Sequence, residues 1–234
     1  GIVLQAYYYG APVVLKASLH AGHARPLEAL KALPDLAHEM RVLRHLRHPN
    51  IVNFFGVCVA PDCQELLLVL EHVDGVGLDR FLVPPSAAAV ADSERLKLAL
   101  DLAGALRYLH CHKPCVMHGD LKPANVMVEV VGGSPRAKLI DFGLSRLLGR
   151  RPKPAGGTVR WVAPELLRSD DAAPSTAADV FSFGRLLYFL ASGRLPFSEL
   201  AQDEVLRRVK AGEDMPLDWP SGSRAAELCA WTGR

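Results

Sequence analysis

Apolar residues alternate with polar ones in short runs through the first third of the chain, and then recur at helical spacing through most of the rest. Ile2 to Tyr9 and Pro12 to Leu19 are rich in β-branched and aromatic residues, which predicts a hairpin turning at Gly10 and Ala11. Pro34 and Asp35 mark a helix start, and Leu36, Met40, Leu43 and Leu46 follow at helical spacing until His48, Pro49 and Asn50 stop it. Ile51 to Val59 and Glu65 to Leu70 read as two further strands, and Asp74 to Gly77 breaks the pattern. From Asp92 to about Cys111 a long helix is predicted with Leu96, Leu100, Ala103, Leu106 and Leu109 along its buried side. Val116 to Ser145 alternates loops with short strands, with Gly132 to Pro135 as a hairpin turn. Helices are expected at Thr176 to Ser192, Glu199 to Lys210 and Ala225 to Trp231, and Pro84 to Val90 reads as a loop leading into a helix. The fold class is α+β, with a small antiparallel β lobe carrying one helix (1–73) and a larger, mainly α-helical lobe (74–234).

Composition narrows this little. The 234 residues are 50% hydrophobic, enough to bury a core, and the formal charge of +2 is too weak to argue for nucleic acid or an anionic membrane. Apolar runs are far shorter than the roughly 20 residues that cross a bilayer, so the segment reads as cytosolic, with any anchor outside it. The 5 cysteines are odd in number and irregularly spaced, which favours reduced thiols. His110, Cys111, His112, Cys115 and His118 are dense enough to weigh as zinc ligands, but the group lacks a paired C-x-x-C knuckle.

The chemistry concentrates in His118-Gly119-Asp120-Leu121-Lys122-Pro123-Ala124-Asn125. Phosphoryl transfer to a hydroxyl needs a carboxylate to orient and accept the proton, a cation near the migrating group and oxygen ligands for magnesium. Asp120, Lys122 and Asn125 offer these, and Asp141, followed by Phe142 and Gly143, adds a second carboxylate. Glu39 falls on the apolar stripe of its helix, and a buried carboxylate needs a partner.

With these residues in view, the sequence resembles the protein kinases over almost its whole length, and most resembles the tyrosine-kinase-like branch of the serine/threonine enzymes. The resemblance implies that Asp120 is the catalytic base, Lys122 the phosphate-facing cation, and Asn125 and Asp141 the magnesium ligands. It implies that Lys16, in Val13-Val14-Leu15-Lys16, pairs with Glu39. Ala163-Pro164-Glu165 matches the segment closing the activation loop, in which Thr158 touches the catalytic loop, and Asp179 matches the aspartate that holds the catalytic loop backbone. ATP would meet Gly1, Val3, Val14, Lys16, the gatekeeper Leu70, the hinge residues Glu71, His72 and Val73, and Met127. Leu43, Phe54, His118 and Phe142 match a hydrophobic column between the lobes. Lys122, with Thr158 and Trp161, implies serine or threonine specificity, and the expected partners are ATP with Mg2+ and protein substrates.

The pattern departs from the family in three places. Only Gly1-Ile2-Val3 remains of the glycine-rich loop, and the chain stops before the arginine that pairs with Glu165, so the domain is expected to be incomplete at both ends within a longer chain. Gly119 stands where most kinases have arginine, so loop ordering is not expected to depend on phosphorylation. The run Arg150, Arg151, Pro152 and Lys153 reads as a solvated loop face. Two other classes compete: a pseudokinase that binds or scaffolds without turnover, and a small-molecule phosphotransferase, the latter disfavoured by the Ala163-Pro164-Glu165 segment.

Overall fold

A computed structural model describes residues 2–17, 36–60, 66–82, 90–143, 145–147, 159–169, 172 and 175–220. Gly1, Thr158, the basic run at 150–153, most of 84–90 and the helix expected at 225–231 lie outside the described residues.

Strands β1 (Ile2–Tyr8), β2 (Ala11–Ala17), β3 (Phe54–Val59) and β4 (Leu66–Glu71) form an antiparallel sheet ordered β1-β2-β4-β3. The first turn falls one residue earlier than the sequence suggests. Tyr9 (φ 48°) and Gly10 (φ 82°) both occupy the left-handed region that a two-residue hairpin turn demands, and Ala11 already pairs with Tyr8. Helix α1, residues 36–43, accompanies the sheet and buries Leu36, Glu39, Val42 and Leu43.

Residues 51–53 do not extend β3 as expected. Ile51 and Val52 turn to a different sheet, where the Leu139 amide donates to Asn50 O at 2.8 Å and the Val52 amide donates to Leu139 O at 2.9 Å, while Asn53 O accepts from the Glu71 amide of β4 at 2.9 Å. This clip ties the loop after α1 to the larger half of the molecule. Asp74 to Gly77 is likewise not only a break, because Gly75–Gly77 forms β5, pairs with β7 (Val126–Val131) and is followed by the short helix α2 (Leu78–Leu82). Strand β8 (Ser134–Leu139) completes that sheet, and the turn before it is Gly132-Gly133 alone, both with positive φ, while Ser134 and Pro135 belong to the strand. Strands β6 (Val116–Met117) and β9 (Arg146–Leu147) pair across the middle.

Helix α3 (Asp92–Cys111) has the expected length, and its second half buries Leu106 and Leu109 as expected, but its first half does not bury the expected leucines. Leu96 and Leu100 are 52% and 64% exposed, whereas Leu98, Leu102, Ala105, Leu106 and Leu109 are buried. Leucines at 96, 98, 100 and 102 offer two stripes at helical spacing, so periodicity alone does not choose. The packing against β8 does, helped by Asp101 Oδ2, which accepts from the Ala137 amide at 3.0 Å. Helices α4 (Pro164–Arg168), α5 (Thr176–Ser192) and α6 (Gln202–Ala211) follow. One apolar core runs from Leu43 and Leu68 through Leu102 and Leu139 to Leu186, joining the sheet-rich and helix-rich halves of this bilobal α+β fold. No helix among the described residues is long and apolar enough to cross a membrane.

Candidate active site

The central helix α5 sets the frame. Asp179, 1% exposed in its first turn, takes the His118 amide on Oδ2 at 2.8 Å and the Gly119 amide on Oδ1 at 2.9 Å, and its Oδ2 also lies 2.9 Å from His110 Nε2. The segment 118–125 is therefore suspended from one carboxylate. Gly119 has φ 78°, a conformation that glycine adopts without strain.

Within the suspended loop Asp120 is the convergence point. Lys122 Nζ donates to its Oδ2 at 2.6 Å, and Asn125 Nδ2 donates to both its Oδ2 (2.9 Å) and its carbonyl (2.8 Å). A 3₁₀ turn, Pro123–Asn125, supplies the geometry for that return contact. Pro123 opens the turn, where its fixed φ suits the conformation and its missing N–H is not needed. The Ile140 amide donates to Asn125 O at 2.9 Å, so Asp141, the next residue, arrives beside the same loop.

Asp141 has φ 62°, a conformation that strains a non-glycine residue and clusters at functional sites. Its Oδ1 accepts from Lys16 Nζ at 2.7 Å and from the Gly143 amide at 3.2 Å. Lys16, on β2, also reaches Glu39 at 2.6 Å and 2.9 Å, and Glu39 is 3% exposed on α1. The Phe142 amide donates to Glu39 Oε1 at 3.3 Å, so one lysine and one carboxylate join β2, α1 and the Asp141-Phe142 stretch. A side chain at Gly143 would press within 3.2 Å of Asp141 Oδ1, which accounts for glycine there. Burial alone would push Lys16 down, but the carboxylates of Glu39 and Asp141 outweigh it and hold the ammonium above its ordinary value. Burial would likewise raise Asp141, and the Lys16 charge and hydrogen bond more than reverse it, keeping the carboxyl ionised.

His118 and Phe142 are fully buried with ring centroids 4.9 Å apart, Leu43 is 1% exposed, and Phe54 packs against the same core, as the expected column requires. Burial lowers the His118 pKa. Of the residues expected around a nucleotide, Leu70 is 6% exposed and Val73 is 8% exposed, Val14 and Met127 are half-buried, and Val3 stands 62% exposed opposite Lys16. Glu165 is exposed on α4.

Sequence reasoning missed several anchors. The Glu71 side chain takes Lys138 Nζ at 2.6 Å, the Asn53 amide at 2.9 Å and Asn53 Nδ2 at 3.0 Å, tying the end of β4 to β8. His38 Nε2 lies 2.6 Å from Ser145 O, and Ser145 Oγ donates to His118 O at 3.1 Å. Lys138 is 5% exposed in a strand that also carries Arg136, and nothing in the sequence marks Lys138, Asn53 or His38 as anchors.

The family described as "Protein kinase domain" matches residues 10–228. The chain is 34% identical over 214 residues, 89% of its length, to "Serine/threonine-protein kinase CTR1" of Arabidopsis thaliana. It is 36% identical over 197 residues (82%) to "Probable serine/threonine-protein kinase drkC" of Dictyostelium discoideum, and 32% identical over 219 residues (91%) to "Serine/threonine-protein kinase VIK" of Arabidopsis thaliana. It spans 24%, 25% and 48% of the lengths of these relatives.

Proposed function

This chain belongs to the protein kinase domain family, and from that premise we propose that it transfers the γ-phosphoryl group of ATP to serine or threonine hydroxyls of other proteins. The observation that carries the reading is the pair of constellations meeting at the Asn125–Ile140 hydrogen bond: Asp120 braced by Lys122 and Asn125, and Asp141 bridged by Lys16 to Glu39. Both bonds to the Asp120 carboxylate fall on Oδ2, which leaves Oδ1 to accept a hydrogen bond from the incoming hydroxyl. Asp120 orients that hydroxyl and takes its proton, while Lys122, beside it, faces the charge that builds on the migrating group. Lys16, held by Glu39, would turn the donor it gives to Asp141 Oδ1 toward the nucleotide phosphates when ATP binds.

Magnesium fits the donor set. Asn125 uses Nδ2 for both its side-chain bonds and keeps Oδ1, and Asp141 is engaged through Oδ1 and keeps Oδ2, two hard oxygens of the kind this ion takes. When bound, the ion neutralises phosphate charge. Adenine would lie between Val3 and Val14 on one side and Met127 on the other, with Leu70 behind it and the backbone of 71–73 at its edge, and Gly1 would cover the phosphates. We assign residues 1–73 to the lobe that carries the nucleotide and 74–234 to the lobe that carries the base. Lys122 taken with Trp161 supports serine/threonine specificity and the tyrosine-kinase-like branch. The serine/threonine kinases among its relatives point the same way.

The test is transfer from radiolabelled ATP by the full-length protein, with magnesium, onto peptides that differ only in carrying serine, threonine or tyrosine. Label on serine and threonine is expected. Label on tyrosine alone, or nucleotide binding with no transfer as a pseudokinase would show, overturns the proposal.

A further inference from the structure

Three polar groups of Ser145 reach three different parts of the molecule. Its amide donates to Phe142 O at 3.0 Å, its hydroxyl donates to His118 O at 3.1 Å, and its carbonyl accepts from His38 Nε2 at 2.6 Å. A carbonyl can only accept, so Nε2 of His38 carries the proton. Ser145 is fully buried, and the two residues after it are held by the backbone pairing of β9 with β6. The Ser145 carbonyl is therefore a fixed point, and α1 is fastened to it through His38.

His38 precedes Glu39 on α1, and successive helical residues project about 100° apart. Glu39 bonds Lys16 of β2 at 2.6 Å and 2.9 Å and takes the Phe142 amide at 3.3 Å, while His38 bonds Ser145. Bonds in two such directions fix the rotation of the helix as well as its height. The buried Leu36, Val42 and Leu43 cannot do so by themselves, because hydrophobic burial is non-directional. On a helix roughly 10–12 Å across, a rotation of about 20° carries a side-chain tip by about 2 Å, enough to break a hydrogen bond. A helix as short as residues 36–43 has little stability of its own, so contacts of this kind decide its setting.

We propose that His38 is a positioning residue for phosphoryl transfer: by donating to Ser145 O it holds α1 in the rotation at which Glu39 meets Lys16, and it acts on the chemistry through Glu39. The anchor is a backbone carbonyl, so the latch needs no added charge on the segment that follows Asp141. From Ser145 the contacts continue to His118 O, and the His118 amide is held by Asp179. The helix that carries Glu39 and the loop that carries Asp120 thus share one anchor. The inference rests on the kinase reading and concerns how the helix of the smaller lobe is set, not the transfer step itself.

The experiment uses the full-length protein as wild type, His38→Phe, His38→Ala, His38→Gln, Glu39→Ala and the double variant of His38→Phe with Glu39→Ala, transferring from magnesium ATP to a serine peptide. His38→Phe keeps a ring and removes the donor. It should lower kcat about five- to tenfold, the effect of one hydrogen bond, with the peptide KM within about twofold of wild type. His38→Gln, whose amide nitrogen can still donate to Ser145 O, should recover most of the loss. In the Glu39→Ala background, already slow, His38→Phe should add less than about twofold, because the group through which it acts is gone. An unchanged kcat in His38→Phe, a loss that His38→Gln does not recover, or the same fold-loss with and without Glu39 overturns the inference. His38→Ala is read in the same way if His38→Phe does not fold, and failure of both to fold overturns it too, since the residue then serves stability alone. A wild type that labels no peptide removes the kinase reading itself, whereas a working wild type matched by its variants removes only the role of His38.

Discussion

The Asp120 backbone amide donates to Nδ1 of His118 at 3.3 Å, and His118 Nε2 lies 3.3 Å from Ile140 O, so the ring must be neutral with its proton on Nε2. A histidine commonly weighed as a metal ligand or a charge carrier serves here as a two-ended spacer. One end meets the Asp120 amide, and the other meets the residue before Asp141.

That tautomer predicts a pH dependence. Burial holds the folded-state pKa of His118 below its ordinary value, and the same holds for His48. Once pH drops below about 6.5 the unfolded chain takes up protons that the folded protein refuses, so stability present at neutral pH is lost on acidification. Thermal melts should fall between pH 7 and pH 5. His118→Phe, which can still stack on Phe142, should flatten the slope, by up to about 1.4 kcal/mol per pH unit. An unchanged slope would mean that His118 takes up its proton equally readily in the folded and the unfolded protein.

Asp120→Asn should slow phosphoryl transfer by roughly 10² to 10⁴ with nucleotide affinity nearly unchanged. Asparagine keeps the size and one acceptor for Lys122 but cannot take a proton. Single-turnover kinetics alongside direct nucleotide titration separate the two effects, and unaltered turnover would remove Asp120 from the chemistry.

Ser145 argues against loop phosphorylation as the switch. Its hydroxyl is fully buried and donates to His118 O, and Gly119 has no side chain with which to clamp a phosphate. Phosphatase treatment of the full-length protein should change turnover by less than about tenfold, equivalent to about 1.4 kcal/mol of barrier. Mass spectrometry of residues 141–165 before and after treatment shows whether a phosphate was removed.

Tyr9 is 94% exposed with φ 48°, and its ring contact is with Tyr8 at 4.7 Å. A side chain in the left-handed region is disfavoured by about 1–2 kcal/mol, less for asparagine and not at all for glycine. Tyr9→Asn should raise stability by about 1 kcal/mol, read as a higher denaturation midpoint at unchanged slope.

Lys138 and Glu71 are 6% and 20% exposed in their side chains and bond at 2.6 Å. Lys138→Met should cost about 3 kcal/mol, because it strands a carboxylate, and adding Glu71→Gln should return part of that loss. A double variant that is worse than the single one by the full cost of Glu71→Gln alone would mean that the two residues act independently.

The loop residues of the candidate site were legible because they sit in one short run with a distinctive chemistry, and Glu39 because it interrupts an apolar stripe, whereas Lys16 was found only through the resemblance. The ends of α3 and α5 were legible for a similar reason, their apolar runs being long. The face of the first half of α3 was not, since two leucine stripes satisfied the same period and only contact with β8 separates them. Val52 and Asn53 looked like strand, yet their hydrogen bonds go to Leu139 and Glu71, partners that no local pattern specifies. Arg185 was not singled out in the sequence, and its partner, the Arg160 carbonyl, lies in a different part of the chain.

The sheet order has a consequence for how the molecule assembles. Strands β1 and β2 close through a two-residue turn, and β3 and β4 are near neighbours in sequence, so each pair can form locally. The seam between β2 and β4, with Val13 opposite Glu71, joins positions about sixty residues apart, and its closure carries the entropy of ordering everything between. Lys16 lies on that seam. Lys16 is paired with Leu68 of β4, so the frame that Lys16 shares with Glu39 stays incomplete in a nascent chain until β4 has been made.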